Sequence, residues 1–162
     1  MFNYLERLNE VYANYVNRIS KIDIYWLILL TVLIEVSVTI LFSYFLFPNH
    51  TSGPRFENNQ EEFLVAVILA PFLETLIFQY AIISFILKKM PKALFFSCFV
   101  SAVLFGLSHF YSPEYVLKTF FSGLLFGTLY LIVLTKKASA ILIVSTAHAI
   151  FNLIGFFVKN FT

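Results

Sequence analysis

Glu74 in APFLETLIFQY, His109 at the end of FGLSH, and His148 with Asn152 in HAIFN each interrupt an otherwise apolar stretch. An ionisable side chain in hydrocarbon costs about 2.5–3.5 kcal/mol on insertion scales, so such residues are rarely left there without a use. One carboxylate and two imidazoles on three separate segments can be brought to one point by a folded bundle. A buried carboxylate beside an imidazole is equipment for taking a proton from water. Glu74, His109 and His148 also match the His₂Glu ligand set of zinc hydrolases, although H-E-x-x-H is absent. Each residue has a plainer reading. Glu74 alone is equally well a protonated acid bonded to another helix. A lone membrane histidine often makes an interhelical hydrogen bond worth about 0.6 kcal/mol.

Spacing strengthens the cluster. Phe105 and His109 stand four apart, as do His148 and Asn152, so each pair is expected on one helix face. Pro71, three residues before Glu74, has no N–H and crowds the carbonyl of Val67, which predicts a kink there. A carbonyl freed in hydrocarbon must be satisfied by a neighbour or by water.

The elements that must position these residues are membrane helices. The chain has 162 residues, of which 60% are hydrophobic and only 12% charged. Soluble domains average roughly 25% charged residues, so the solvent implied is the bilayer. The length allows one domain. The formal net charge of +2 is small, and no nucleic-acid partner is expected. Cys98 has no second cysteine to pair with. Five apolar stretches, 24–47, 63–87, 93–110, 120–135 and 138–158, approach the roughly 20 residues needed to span the hydrocarbon core. Residues 115–118 extend the fourth, with Lys118 reaching to the interface. An all-α polytopic bundle of about five transmembrane helices is the fold expected, with residues 23–162 forming the bundle.

Residues 1–22 place Leu5, Leu8, Tyr12, Tyr15 and Ile19 at helical spacing, which predicts an amphipathic helix in the membrane interface or a strap packed on the bundle. This segment is too polar for a secretory signal, so it is expected to be retained. Arg7, Arg18, Lys21, Lys88, Lys89, Lys92, Lys136 and Lys137 fall on one side of the bundle. Arg55, Lys118 and Lys159 fall on the other, which predicts a cytoplasmic N-terminus by the positive-inside rule. Glu35, mid-helix in TVLIEVSVTI, has no cation in any of these stretches to pair with. It reads first as a structural acid bonded to a neighbouring helix. Gly123 and Gly127 form G-x-x-x-G, the surface of a close helix contact inside the bundle or between protomers of a homo-oligomer. His50 sits in a polar loop and reads as solvated.

The order AP-x-x-E, F-x-x-x-H, H-x-x-x-N, carried by residues 70–152, resembles the CPBP group of intramembrane proteases. That group takes in the CAAX proteases and the bacteriocin self-immunity (Abi) proteins. The resemblance implies a catalytic core at 70–152 in which Glu74, with His109, activates water. His148 and Asn152 would then donate to the oxyanion of the tetrahedral intermediate. It implies a peptide or membrane-protein substrate and a metal-free mechanism, with zinc as the alternative. Two positions depart from the family pattern E-E-x-x-x-R: Thr75 replaces the second glutamate and Gln79 the arginine, both of which orient the site in the family. Their loss leaves open a non-catalytic binding protein, and Glu35 a partial substitute for the missing acid. Richness in Phe, Ile, Lys and Asn suits an AT-rich bacterial genome, hence a bacterial cell membrane and a role in bacteriocin immunity or peptide processing.

Overall fold

Local sequence sets where each helix starts and stops. The computed structural model describes residues 2–48 and 53–161, so His50 lies outside the described residues. Among the described residues, six helices follow in order: α1 Phe2–Ile19, α2 Ile24–Leu46, α3 Asn59–Lys89, α4 Leu94–Ser108, α5 Pro113–Thr135 and α6 Ala140–Phe161. No strand occurs among the described residues. Helices α2, α3, α5 and α6 are long and apolar enough to cross a membrane. The architecture is the all-α polytopic bundle that the sequence predicts.

Two helix starts are fixed by caps. The Asn58 side chain accepts from the Glu61 N–H at 2.9 Å, while Glu61 Oε2 accepts from the Glu57 N–H, an arrangement close to a capping box. Ser112, held extended before a proline, accepts from the Tyr115 N–H, and Pro113 and Glu114 open α5. Proline in the first turn, with an acid beside it, is the sequence mark of a helix N-terminus. The fourth stretch, expected at 120–135 with 115–118 extending it, therefore begins at Pro113, and Lys118 lies inside a helix long enough to span. The expectation that no membrane helix holds a cation is corrected by this start.

Helix α4 is shorter than expected. At ~1.5 Å per residue its 15 residues span about 23 Å of a core of roughly 30 Å. It stops because side chains take over its last carbonyls: Ser108 Oγ donates to Phe105 O at 2.7 Å, and His109 leaves the helical conformation.

Helix α3 runs unbroken for 31 residues, but not as one regular α-helix. Phe63–Leu69 and Thr75–Ile83 are wound as wide π-type turns on either side of Ala70–Glu74. Such turns recur at functional sites. Glu74 stands at the midpoint of this rod.

Helix α1 is a strap. Its apolar face meets α4 and α5, where Val16 is 1% exposed and the Tyr12 hydroxyl lies 2.6 Å from Thr128 Oγ1 of α5. Asn9 Oδ1 accepts from the Phe95 N–H at 2.9 Å, capping α4 from outside where Ala93 supplies no side-chain cap. These contacts pack α1 on the bundle.

Helices α4 and α5 approach each other closely. A Cβ on Gly123 would come 2.9 Å from the Ala102 Cα, and one on Gly127 2.8 Å from Cys98 Sγ. Both glycines thus serve a contact inside this chain. Gly155 of α6 has nothing within 4 Å of such a Cβ. Gly123→Ala is therefore expected to lower stability in detergent by about 1–3 kcal/mol, because backbone must move. Gly155→Ala should be neutral or gain up to about 1 kcal/mol from helix propensity. Equal thermal unfolding of the two variants would show that α4 and α5 are not in backbone contact.

Candidate active site

Three helices contribute to the cluster. Glu74 comes from the middle of α3, His109 from the C-terminal cap of α4, and His148 from the third turn of α6. The carboxylate lies between the imidazoles: Glu74 Oε1 is 3.7 Å from His109 Nε2, and Oε2 is 3.8 Å from His148 Nε2. Each oxygen thus faces a different ring. This is the convergence expected from the sequence.

His109 reaches it without being helical. Its Nδ1 lies 2.8 Å from Phe105 O and 3.1 Å from Ser108 Oγ. A carbonyl only accepts, so Nδ1 carries hydrogen, and Nε2 is the nitrogen left facing Glu74. The expected shared face of Phe105 and His109 survives through this bond, with ring centroids 4.6 Å apart.

Aromatic rings wall the cluster. His148 stacks on Phe126 of α5 at 4.5 Å with 26° between the planes. Phe105 meets it edge-on at 6.1 Å and is itself held against Phe78. Phe126 was not legible in the sequence, being one of 21 phenylalanines with no distinguishing neighbour.

Asn152, one turn beyond His148, donates through Nδ2 to the carbonyl of Ala66 at 2.7 Å. The π winding explains why that carbonyl needs a donor. In this stretch each N–H reaches back five residues, as Ala70 N–H does to Val65 O. The next N–H would belong to Pro71, which has none. The orphan is therefore Ala66 O, one residue earlier than the α-helical register predicts, and Asn152 satisfies it.

Thr75 and Gln79 are 0% and 1% exposed on a face of α3 turned into the bundle. Thr75 Oγ1 and Gln79 Nε2 have no hydrogen-bond partner among the described residues. Glu35 Oε2 accepts from Ser122 Oγ of α5 at 2.8 Å, tying α2 to α5. Lys118 stands one turn before Ser122, so a cation lies near this acid after all. A zinc ion would be held by Glu74, His109 and His148, whose two Nε2 atoms face inward. Among the described residues, no group of three His, Cys, Asp or Glu side chains is arranged as a ready metal set.

A cleft of about 1110 Å³ opens between α2, α5, α6 and residues 53–56. Ala66, Tyr115 and Asn152 line it, and the Tyr115 ring lies 6.0 Å from that of His109. The cleft therefore leads towards the cluster.

A model of the type II CAAX prenyl endopeptidase, Rce1-like, family matches residues 61–154, a span that holds Glu74, Phe105, His109, His148 and Asn152. No curated protein and no solved structure matches the chain.

If Asn152 serves Ala66 O because Pro71 cannot, the two positions are coupled. Asn152→Ala should cost about 1–3 kcal/mol, the penalty of a stranded buried acceptor. In a Pro71→Ala background, where residue 71 regains an N–H, the same change should cost at least about 0.5 kcal/mol less. Additive effects in a thermal-unfolding cycle would refute the coupling.

Proposed function

We propose, since the chain belongs to the Rce1-like CAAX prenyl endopeptidase family, that Glu74 and His109 activate a water for hydrolysis of a peptide bond within the membrane. The observation that carries this reading is the placement of one carboxylate between two imidazole Nε2 atoms. A water against Glu74 Oε1 and His109 Nε2 gives up its proton as its oxygen attacks the scissile carbonyl, and the same pair returns that proton to the leaving amine. His148 and Asn152 stabilise the oxyanion. Donors fixed in a water-poor site are worth more than in solution, because they need not reorganise. Phe105 and Phe126 hold both rings and keep bulk water out.

The mechanism we infer is metal-free. Its substrate is an unstructured peptide or a membrane-associated protein segment that enters by the cleft. Loop charges support a cytoplasmic N-terminus, with the cleft in the outer half of a bacterial cell membrane. Bacteriocin immunity or processing of a secreted peptide suits such a site. A second reading, a binding protein without turnover, is favoured by Thr75 and Gln79, whose buried polar atoms stand without partners where an ion pair would orient the glutamate.

Glu74→Gln keeps the shape and removes the base. Purified protein in liposomes should cleave members of a diverse peptide library, and Glu74→Gln should reduce kcat by at least about 10²–10⁴-fold with unchanged thermal unfolding. A chelator should leave wild-type turnover intact. Loss with chelator would instead make Glu74, His109 and His148 zinc ligands. A folded wild type that cleaves nothing would establish the binding protein.

A further inference from the structure

The cleft carries a charge that the hydrolytic cluster does not use. Its lining includes Arg55, Lys118 and Lys159 against one carboxylate, Glu62. That carboxylate is already engaged, with Lys159 Nζ 2.8 Å from Glu62 Oε1. The surplus is cationic, and most of the remaining wall is apolar, including Val36, Ile40, Phe151 and Ile154.

Lys118 is the cation placed to act. It lies five residues inside α5, half-buried, a position that is expensive for an ammonium unless a counter-charge meets it. Its Nζ sits 5.7 Å from the Tyr115 ring centroid and 5.8 Å from that of Phe151, and both rings line the cleft. The ammonium is thus held over the cleft wall by cation–π contacts. Glu35 lies within electrostatic reach of Lys118, but no ion pair or hydrogen bond joins the two among the described residues, and the Glu35 carboxylate accepts from Ser122 Oγ. Tyr115 also faces His109, and Asn152 shares the cleft with Lys118. An anionic group bound at Lys118 would therefore lie on the approach to Glu74.

We infer that Lys118 is a specificity-determining residue that binds a carboxylate of the peptide seated in this cleft, so that acidic apolar peptides are selected over neutral ones. This inference rests on the endopeptidase reading for the identity of the occupant. The carboxylate is either the free C-terminus of the peptide or an acidic side chain near the scissile bond; charge complementarity requires only the group.

The test is a binding measurement in phosphatidylcholine nanodiscs with Glu74→Gln protein, which needs no turnover. One fluorescent apolar peptide is supplied with a free C-terminal carboxylate, with a C-terminal amide, and as the amide carrying one internal glutamate. At least one acidic form should bind about tenfold tighter than the neutral amide, and which one identifies the source of the carboxylate. Lys118→Met, made in the same background, should bring the two within about twofold, whereas Lys118→Arg should keep most of the preference. Lys118→Gln, of similar length and uncharged, must lose it as well, which keeps the result readable if the Met variant misfolds. Equal binding of acid and amide, or a preference that survives both uncharged variants, overturns the assignment. So does a preference-free cleft whose peptide binding falls when phosphatidylglycerol is added and recovers in Lys118→Met, since the occupant is then a lipid. An acid preference in a protein whose wild type cleaves nothing would remove the endopeptidase reading and leave Lys118 as the reader of the carboxylate.

Discussion

The carbonyl of Ala66 is the point on which the site turns. In hydrocarbon no water is at hand to pair a stranded acceptor, so a spanning helix that loses a backbone bond must recover it from a neighbour. Pro71 removes the bond, the wide turns of α3 fix which carbonyl is stranded, and Asn152 of α6 supplies the donor. That hydrogen bond sets the rotation of α6 against α3. Because His148 lies one turn from Asn152 on the same face, fixing one residue aims the other at Glu74. A proline, an asparagine and a histidine thus form one positioning device.

The opposite wall is set by packing. Small residues let α4 and α5 approach to backbone contact at Gly123 and Gly127, which presents Phe105 and Phe126 side by side. Between these rings His148 has little rotational freedom. The strap α1 secures the same pair from the other face through Tyr12 and Asn9. At the far end of the bundle, Lys159 and Glu62 join α6 to the start of α3. The α3–α6 contact is therefore pinned both at its rim and at the proline turn.

Much of this was legible in the sequence because the bilayer makes polar residues conspicuous. Glu74, His109, His148 and Asn152 stand out from apolar runs, and their i, i+4 spacing survives folding even where His109 is no longer helical. The start of α5 was also written in the chain, as Ser112-Pro113-Glu114, whereas apolar content alone placed the stretch at Phe120 with 115–118 as an extension. The π winding was not legible, since it reflects a tertiary compromise and has no residue signature. It shifts the orphan carbonyl from Val67 to Ala66 and so gives Asn152 a structural task besides the one its family position implies. Phe126 was hidden for the opposite reason: its type is common here, and only the fold distinguishes it.

Charge conservation gives the arrangement its chemical logic. In a water-poor site, creating or removing net charge is costly, whereas moving a proton between fixed groups is not. In the mechanism proposed here, Glu74 and His109 take a proton from water and the hydroxide's negative charge passes to the substrate oxygen. The cluster and its substrate keep the same total charge, and the change is a dipole pointing from one wall to the other. A carboxylate flanked by two imidazoles suits that change, because one ring can share the incoming proton while the other meets the outgoing negative charge. The same reasoning separates the site from the cleft. Lys118 lies beyond Tyr115 and outside the direct contacts made by Glu74 and the histidines, so in the proposed mechanism its fixed charge meets the substrate while the proton moves among Glu74 and the histidines.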